Sequence, residues 1–105
     1  LISGVHGDEV SPVDAVQRTM AQFDPAQMSG TVTAVYDVSR PAKEAATRPP
    51  AMPGWMFNRL FKPNADYALD FHTAATAGDF TAFIFAKLGK PEIRAMALLY
   101  PIEQI

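Results

Sequence analysis

Apolar positions in this chain fall into short continuous runs separated by stretches with helical spacing. "LISGV" (1–5) is such a run, closed by a turn at Gly7, the pattern of a buried strand. In "SPVDAVQRTMAQF" (11–23), Val13, Val16, Met20 and Phe23 recur at helical spacing and predict a helix with one buried face. Ser11 is placed to cap that helix, and Pro12 suits its first turn. "TVTAVYDV" (31–38) is β-branched and aromatic, which predicts a strand. The stretch 39–54 holds four of the nine prolines and reads as loop. "WMFNRLF" (55–61) returns to helical spacing, with Met52, Met56 and Leu60 near one line. "ADYALDF" (65–71) predicts a strand, "TAATAGD" a loop and "FTAFIFA" (80–86) another strand. Pro91 then opens a helix through about Leu99. Strands alternating with helices predict an α/β fold with a mixed, largely parallel sheet flanked by helices.

Composition narrows the picture. The 105 residues, 49% of them apolar, amount to about one small domain, with no repeat or internal boundary. A net charge of −2 gives no basic footprint, so no nucleic-acid partner is expected. No apolar stretch reaches the ~18 residues of a membrane span, so the expectation is a cytoplasmic protein without a membrane partner. Cysteine is absent, which leaves only His, Asp and Glu as strong metal ligands. The chain opens inside a strand and closes on "YPIEQI" without a turn, and we expect a piece of a larger domain.

The two histidines stand in equivalent places. His6, in "GVHGDE", and His72, in "ALDFHTA", each leave the carboxyl end of a predicted strand, where sheets of this kind bind ligands. Glu9 lies in the turn after His6, close enough for both side chains to close on one ion. Two imidazoles and a carboxylate satisfy zinc and leave a fourth position for water. On these residues alone, a metal site and a pair of merely hydrogen-bonded strand-end histidines are even alternatives. Asp70 shares the strand face of His72, where it either accepts the free ring N–H of a metal-bound histidine or pairs with a nearby base. Asp8 reads as a turn former, and Thr73–Gly78 as a small-residue loop beside the site. No serine sits in a nucleophile elbow, and the Lys and Ser/Thr of a phosphate loop are missing.

"GVHGDE" before a helix, then "ATR", then "ADYALDFHTA", resembles the succinylglutamate desuccinylase/aspartoacylase family, in order from Gly4 through Phe85. The resemblance implies a carboxypeptidase A-like fold and a single zinc ion held by His6, Glu9 and His72. It further implies that Arg48, in "AATRPP", steadies the oxyanion that develops on the scissile carbonyl. The activity implied is that of an amidohydrolase removing an acyl group from an N-acyl amino acid or related small amide. Its general-base glutamate is expected downstream of Ile105, since Glu92 opens a helix and Glu103 follows Pro101. A zinc carboxypeptidase and a non-catalytic metal-binding module of the same fold stay open as alternatives, as does homo-oligomerisation.

One family segment, Asp-Leu-Asn-Arg-x-Phe, which binds the substrate carboxylate, has no counterpart after Arg48. "FNRLF" is not a substitute: Asn58, Arg59 and Lys62 share the polar face of the predicted helix, so Arg59 is expected in solvent. We therefore expect a Cα separation well beyond the usual ~3.8 Å at one junction within 48–52, Pro49–Pro50 or Pro50–Ala51.

Overall fold

A computed structural model describes residues 1–40, 54–73 and 81–102. Arg48, Met52, the 48–52 junctions, most of the loop after His72 and Glu103 lie outside the described residues.

The first apolar run becomes the central of three parallel segments. Strand β1 (Ile2–Ser3) pairs in parallel with β2 (Asp70–Phe71), Ile2 opposite Asp70 and Ser3 opposite Phe71. The Ile2 N–H donates to the Leu69 carbonyl at 2.8 Å on that side. On the other side Ser3 N–H donates to Val35 O at 3.1 Å, and Val35 N–H to Leu1 O at 2.9 Å, around a parallel bridge between Ile2 and Val35. Both predicted flanking strands thus shrink. The 31–38 run keeps only this bridge, because Asp37 turns into the left-handed region (φ 52°) and ends the extended geometry. The 65–71 run pairs only at its last residues, and residues 81–86 form no strand, with Phe83 alone in a bridge.

Helices follow the expected order with shifted ends. Helix α1 (Val10–Met20) starts one residue before Ser11, so Glu9 occupies the N-cap position. Its buried face is Pro12, Val13 and Val16. Met20 is half-buried, and Phe23, beyond the helix end, is 39% exposed; the apolar stripe breaks where the helical period stops. Helix α2 (Gly54–Met56) runs into a π-helical turn, Phe57–Phe61, closed by the Lys62 N–H donating to Phe57 O at 2.9 Å. This widening turns Leu60 outward, leaving Met56 and Phe61 against the sheet. Arg59 is exposed, and the Asn58 amide donates back to Gly54 O at 2.9 Å. Helix α3 (Pro91–Ala97) begins at its proline, as the sequence predicts, and ends before Leu99.

The core beneath the site is Ile2, Val5 and Val38, with Val35, Met56 and Phe61 packed on it. It brackets β1, so the exit of β1 at Gly4 is anchored where the first histidine motif begins.

Candidate metal centre

The site starts from a turn. After Val5 the chain bends through Gly7 and Asp8, and Glu9 N–H reaches back to the His6 carbonyl at 3.4 Å. That turn sets the side chains of His6 and Glu9 side by side. An acidic residue at an N-cap ordinarily spends its carboxylate on the helix's free N–H groups. Glu9 makes no such capping bond. Its side chain turns inward instead, where it is 1% exposed, the largest fully buried side chain among the described residues.

Two imidazoles meet that carboxylate, one on each oxygen. His6 Nδ1 lies 3.0 Å from Oε1 and His72 Nδ1 lies 2.8 Å from Oε2. The two rings are 5.0 Å apart between centroids and tilted by 53°. His72 arrives from the end of β2, whose parallel register with β1 brings the two chain exits to the same edge. On the outer side of its ring, His72 Nε2 lies 3.0 Å from Asp70 Oδ2. The structure therefore brings together His6, Glu9, His72 and Asp70, while Arg48 falls outside the described residues.

His6, Glu9 and His72 form a group whose ligand atoms lie within 4.8 Å of one another, a set that could hold a metal ion. Ligand atoms on one tetrahedral zinc lie about 3.4 Å apart, so the widest pair in the group would close by up to roughly 1.4 Å around an ion. His6 Nδ1 adds an independent sign. It is buried and close to Oε1, yet the approach is too poorly aligned for a hydrogen bond. A buried ring nitrogen and a buried carboxylate oxygen that lie close without a hydrogen bond between them are groups a shared cation would satisfy.

Charge on His72 responds to the same neighbours. Burial opposes its protonation, but the hydrogen bonds and charges of Asp70 and then Glu9 outweigh burial and raise its pKa above the ordinary 6.5. A raised folded-state pKa stabilises the fold fully below pH 6.5, and that contribution is lost as pH rises through the raised value. Metal binding needs the neutral Nδ1, so affinity moves the opposite way and falls as pH drops through that value. Thermal unfolding of the metal-free protein should therefore show a Tm decline across that window, and His72→Asn should remove that component. A Tm indifferent to His72 across the window would contradict the carboxylate contacts.

A hollow of about 290 Å³ elsewhere is lined by Met20, Phe23, Pro25, Met28, Gly30, Thr31 and Val32. It holds no titratable side chain and contributes nothing to this chemistry.

No family model, curated protein or solved structure matches the chain. Among the described residues, no helix is long and apolar enough to cross a membrane.

Two features here have no clear sequence signal. The coordination-ready nitrogen of both histidines is Nδ1, a matter of rotamer. Asp37, whose backbone lies against Gly4, sits unmarked inside an apparently regular strand pattern.

Proposed function

We propose that this chain carries the metal centre of a zinc-dependent amidohydrolase that removes an acyl group from an N-acyl amino acid or related small amide. The observation that supports it most is the convergence of His6, Glu9 and His72 from two strand exits onto one buried carboxylate. With two nitrogen donors, one carboxylate and no thiolate, the set suits zinc better than calcium or magnesium, which favour all-oxygen shells. When bound, such an ion supplies Lewis acidity and lowers the pKa of water.

The chain's own residues divide the remaining work. His6 and His72 hold their Nδ1 atoms toward Glu9, and each keeps part of its side chain in solvent. Glu9, taken out of solvent, supplies fixed negative charge that keeps a cation in place. Arg48 is assigned to the carbonyl oxygen, where a fixed cation steadies developing negative charge. The carboxypeptidase A-like fold belongs to the same proposal.

The test is hydrolysis by the full protein after zinc loading. N-acyl amino acids should release a carboxylic acid and a free amine, and chelation should abolish turnover, with zinc restoring it. Peptides carrying a free C-terminus, run alongside, separate a deacylase from a carboxypeptidase. Stoichiometric zinc with turnover of neither substrate would leave a binding module and overturn the hydrolase assignment.

A further inference from the structure

The outer nitrogen of His72 has a partner of its own, and the sheet explains why. Asp70 and His72 are two residues apart on β2 and its exit, so their side chains share a face. The backbone of Asp70 stands opposite Ile2, and the neighbouring Leu69 carbonyl is held by Ile2 N–H at 2.8 Å. Asp70 is therefore fixed at its base, while its carboxylate reaches the His72 ring at Nε2, 3.0 Å away. It does not belong to the group of ligand atoms formed by His6, Glu9 and His72. Its contact lies on the opposite nitrogen from the one facing Glu9, which is 2.8 Å from Nδ1.

We infer that Asp70 is a positioning residue: by accepting the Nε2–H of His72 it fixes the ring's orientation and tautomer, so that the Nδ1 lone pair faces Glu9 and His6. A neutral imidazole carries one proton. Without a cation both carboxylates stand within hydrogen-bond distance of the ring, Glu9 at Nδ1 and Asp70 at Nε2. With a cation on the Nδ1 side, the single proton of the neutral ring is kept at Nε2 by Asp70, and Nδ1 can donate its lone pair. Without Asp70 the proton is free to occupy Nδ1, where Glu9 Oε2 would accept it and close the site. The contact is only partly shielded, at 38% and 36% exposure for the two side chains. As a surface ion pair alone it would contribute little. Its effect is expected on the metal, where outer partners of this type change affinity by roughly 10–100-fold.

This inference rests on the metal-centre reading, and the experiment separates the two. Zinc affinity of the full protein is measured by competition titration for wild type, Asp70→Ala, Asp70→Asn and Asp14→Ala. Asp14 pairs with Arg18 at 2.8 Å on the exposed face of α1, and serves as a surface ion pair remote in role from the site. Asp70→Ala should weaken zinc binding by about 10–100-fold. Asp70→Asn, whose amide oxygen accepts the same N–H, should recover most of that loss, and Asp14→Ala should match wild type. Nitrogen-15 NMR of zinc-loaded wild type should show His72 protonated at Nε2 and coordinated through Nδ1. Should Asp70→Ala fail to fold, the Asp70→Asn titration and the wild-type spectrum decide the matter. Wild-type affinity in Asp70→Ala, an Asn variant as weak as the Ala variant, or coordination through Nε2 would each overturn the positioning role alone. Absence of zinc binding in wild type would overturn the metal centre and this inference together.

Discussion

Glu9→Gln is expected to abolish specific zinc binding while leaving the protein folded. The substitution keeps the size of a side chain that is 1% exposed, so no cavity opens in the interior. The N-cap is also spared, because the Glu9 side chain makes no bond to the start of α1. The electrostatics change completely. Oε1 faces His6 Nδ1 at 3.0 Å and Oε2 faces His72 Nδ1 at 2.8 Å. Whichever way the glutamine amide is flipped, its NH₂ group points at one imidazole nitrogen and engages the lone pair a cation needs. The negative charge that favours the cation is lost as well. Affinity should therefore fall by more than the roughly 10–100-fold typical of outer partners. Calorimetric titration beside thermal unfolding reads both quantities. Wild-type affinity in Glu9→Gln would make the buried carboxylate a structural acceptor for two histidines and nothing more.

Gly4→Ala is expected to have the largest effect on the fold itself. Gly4 has φ +70°, and a Cβ there would stand 2.7 Å from the Asp37 Cα and 3.0 Å from its backbone nitrogen. Backbone atoms cannot rotate aside as a side chain would. The segments are also tied at this point, Val38 N–H donating to Ser3 O at 3.2 Å and Ser39 N–H to Gly4 O at 2.8 Å. Left-handed geometry costs an alanine about 1–2 kcal/mol, and straining these bonds adds about 0.5–1.5 kcal/mol for each one lost. A loss of at least about 2 kcal/mol, or roughly 10 °C in Tm, is expected. Zinc affinity should fall with it, because His6 and Glu9 hang from the displaced turn. Gly30 provides the contrast, with φ +102° and open space where a Cβ would go. Gly30→Ala should cost only the backbone strain. Equal, small effects at both positions would contradict the close approach of Asp37 to Gly4.

What the sequence revealed of this arrangement follows the range of the forces involved. Helices α1 and α3 were legible because their apolar spacing and prolines act within a few residues. The N-cap of α1 was not: Ser11 has the better intrinsic preference, but Glu9 is drawn into the site by contacts with residues far along the chain. Strand length was equally hidden. Pairing depends on which neighbours arrive, so an eight-residue β-branched run can keep a single bridge at Val35 once Asp37 turns away. His6, Glu9 and His72 could be named from two strand exits and a turn, since parallel strands bring like ends together. Which nitrogen each ring would offer depends on rotamers and partners, and no spacing encodes that.

The most direct test of the account is zinc titration of the metal-free full protein, read by X-ray absorption at the zinc edge. One saturable ion per chain is expected, with imidazole nitrogens and carboxylate oxygen in its shell. That site should be lost alike in His6→Ala, Glu9→Gln and His72→Ala. Failure to bind a stoichiometric ion, or a zinc shell unchanged by all three substitutions, would contradict it.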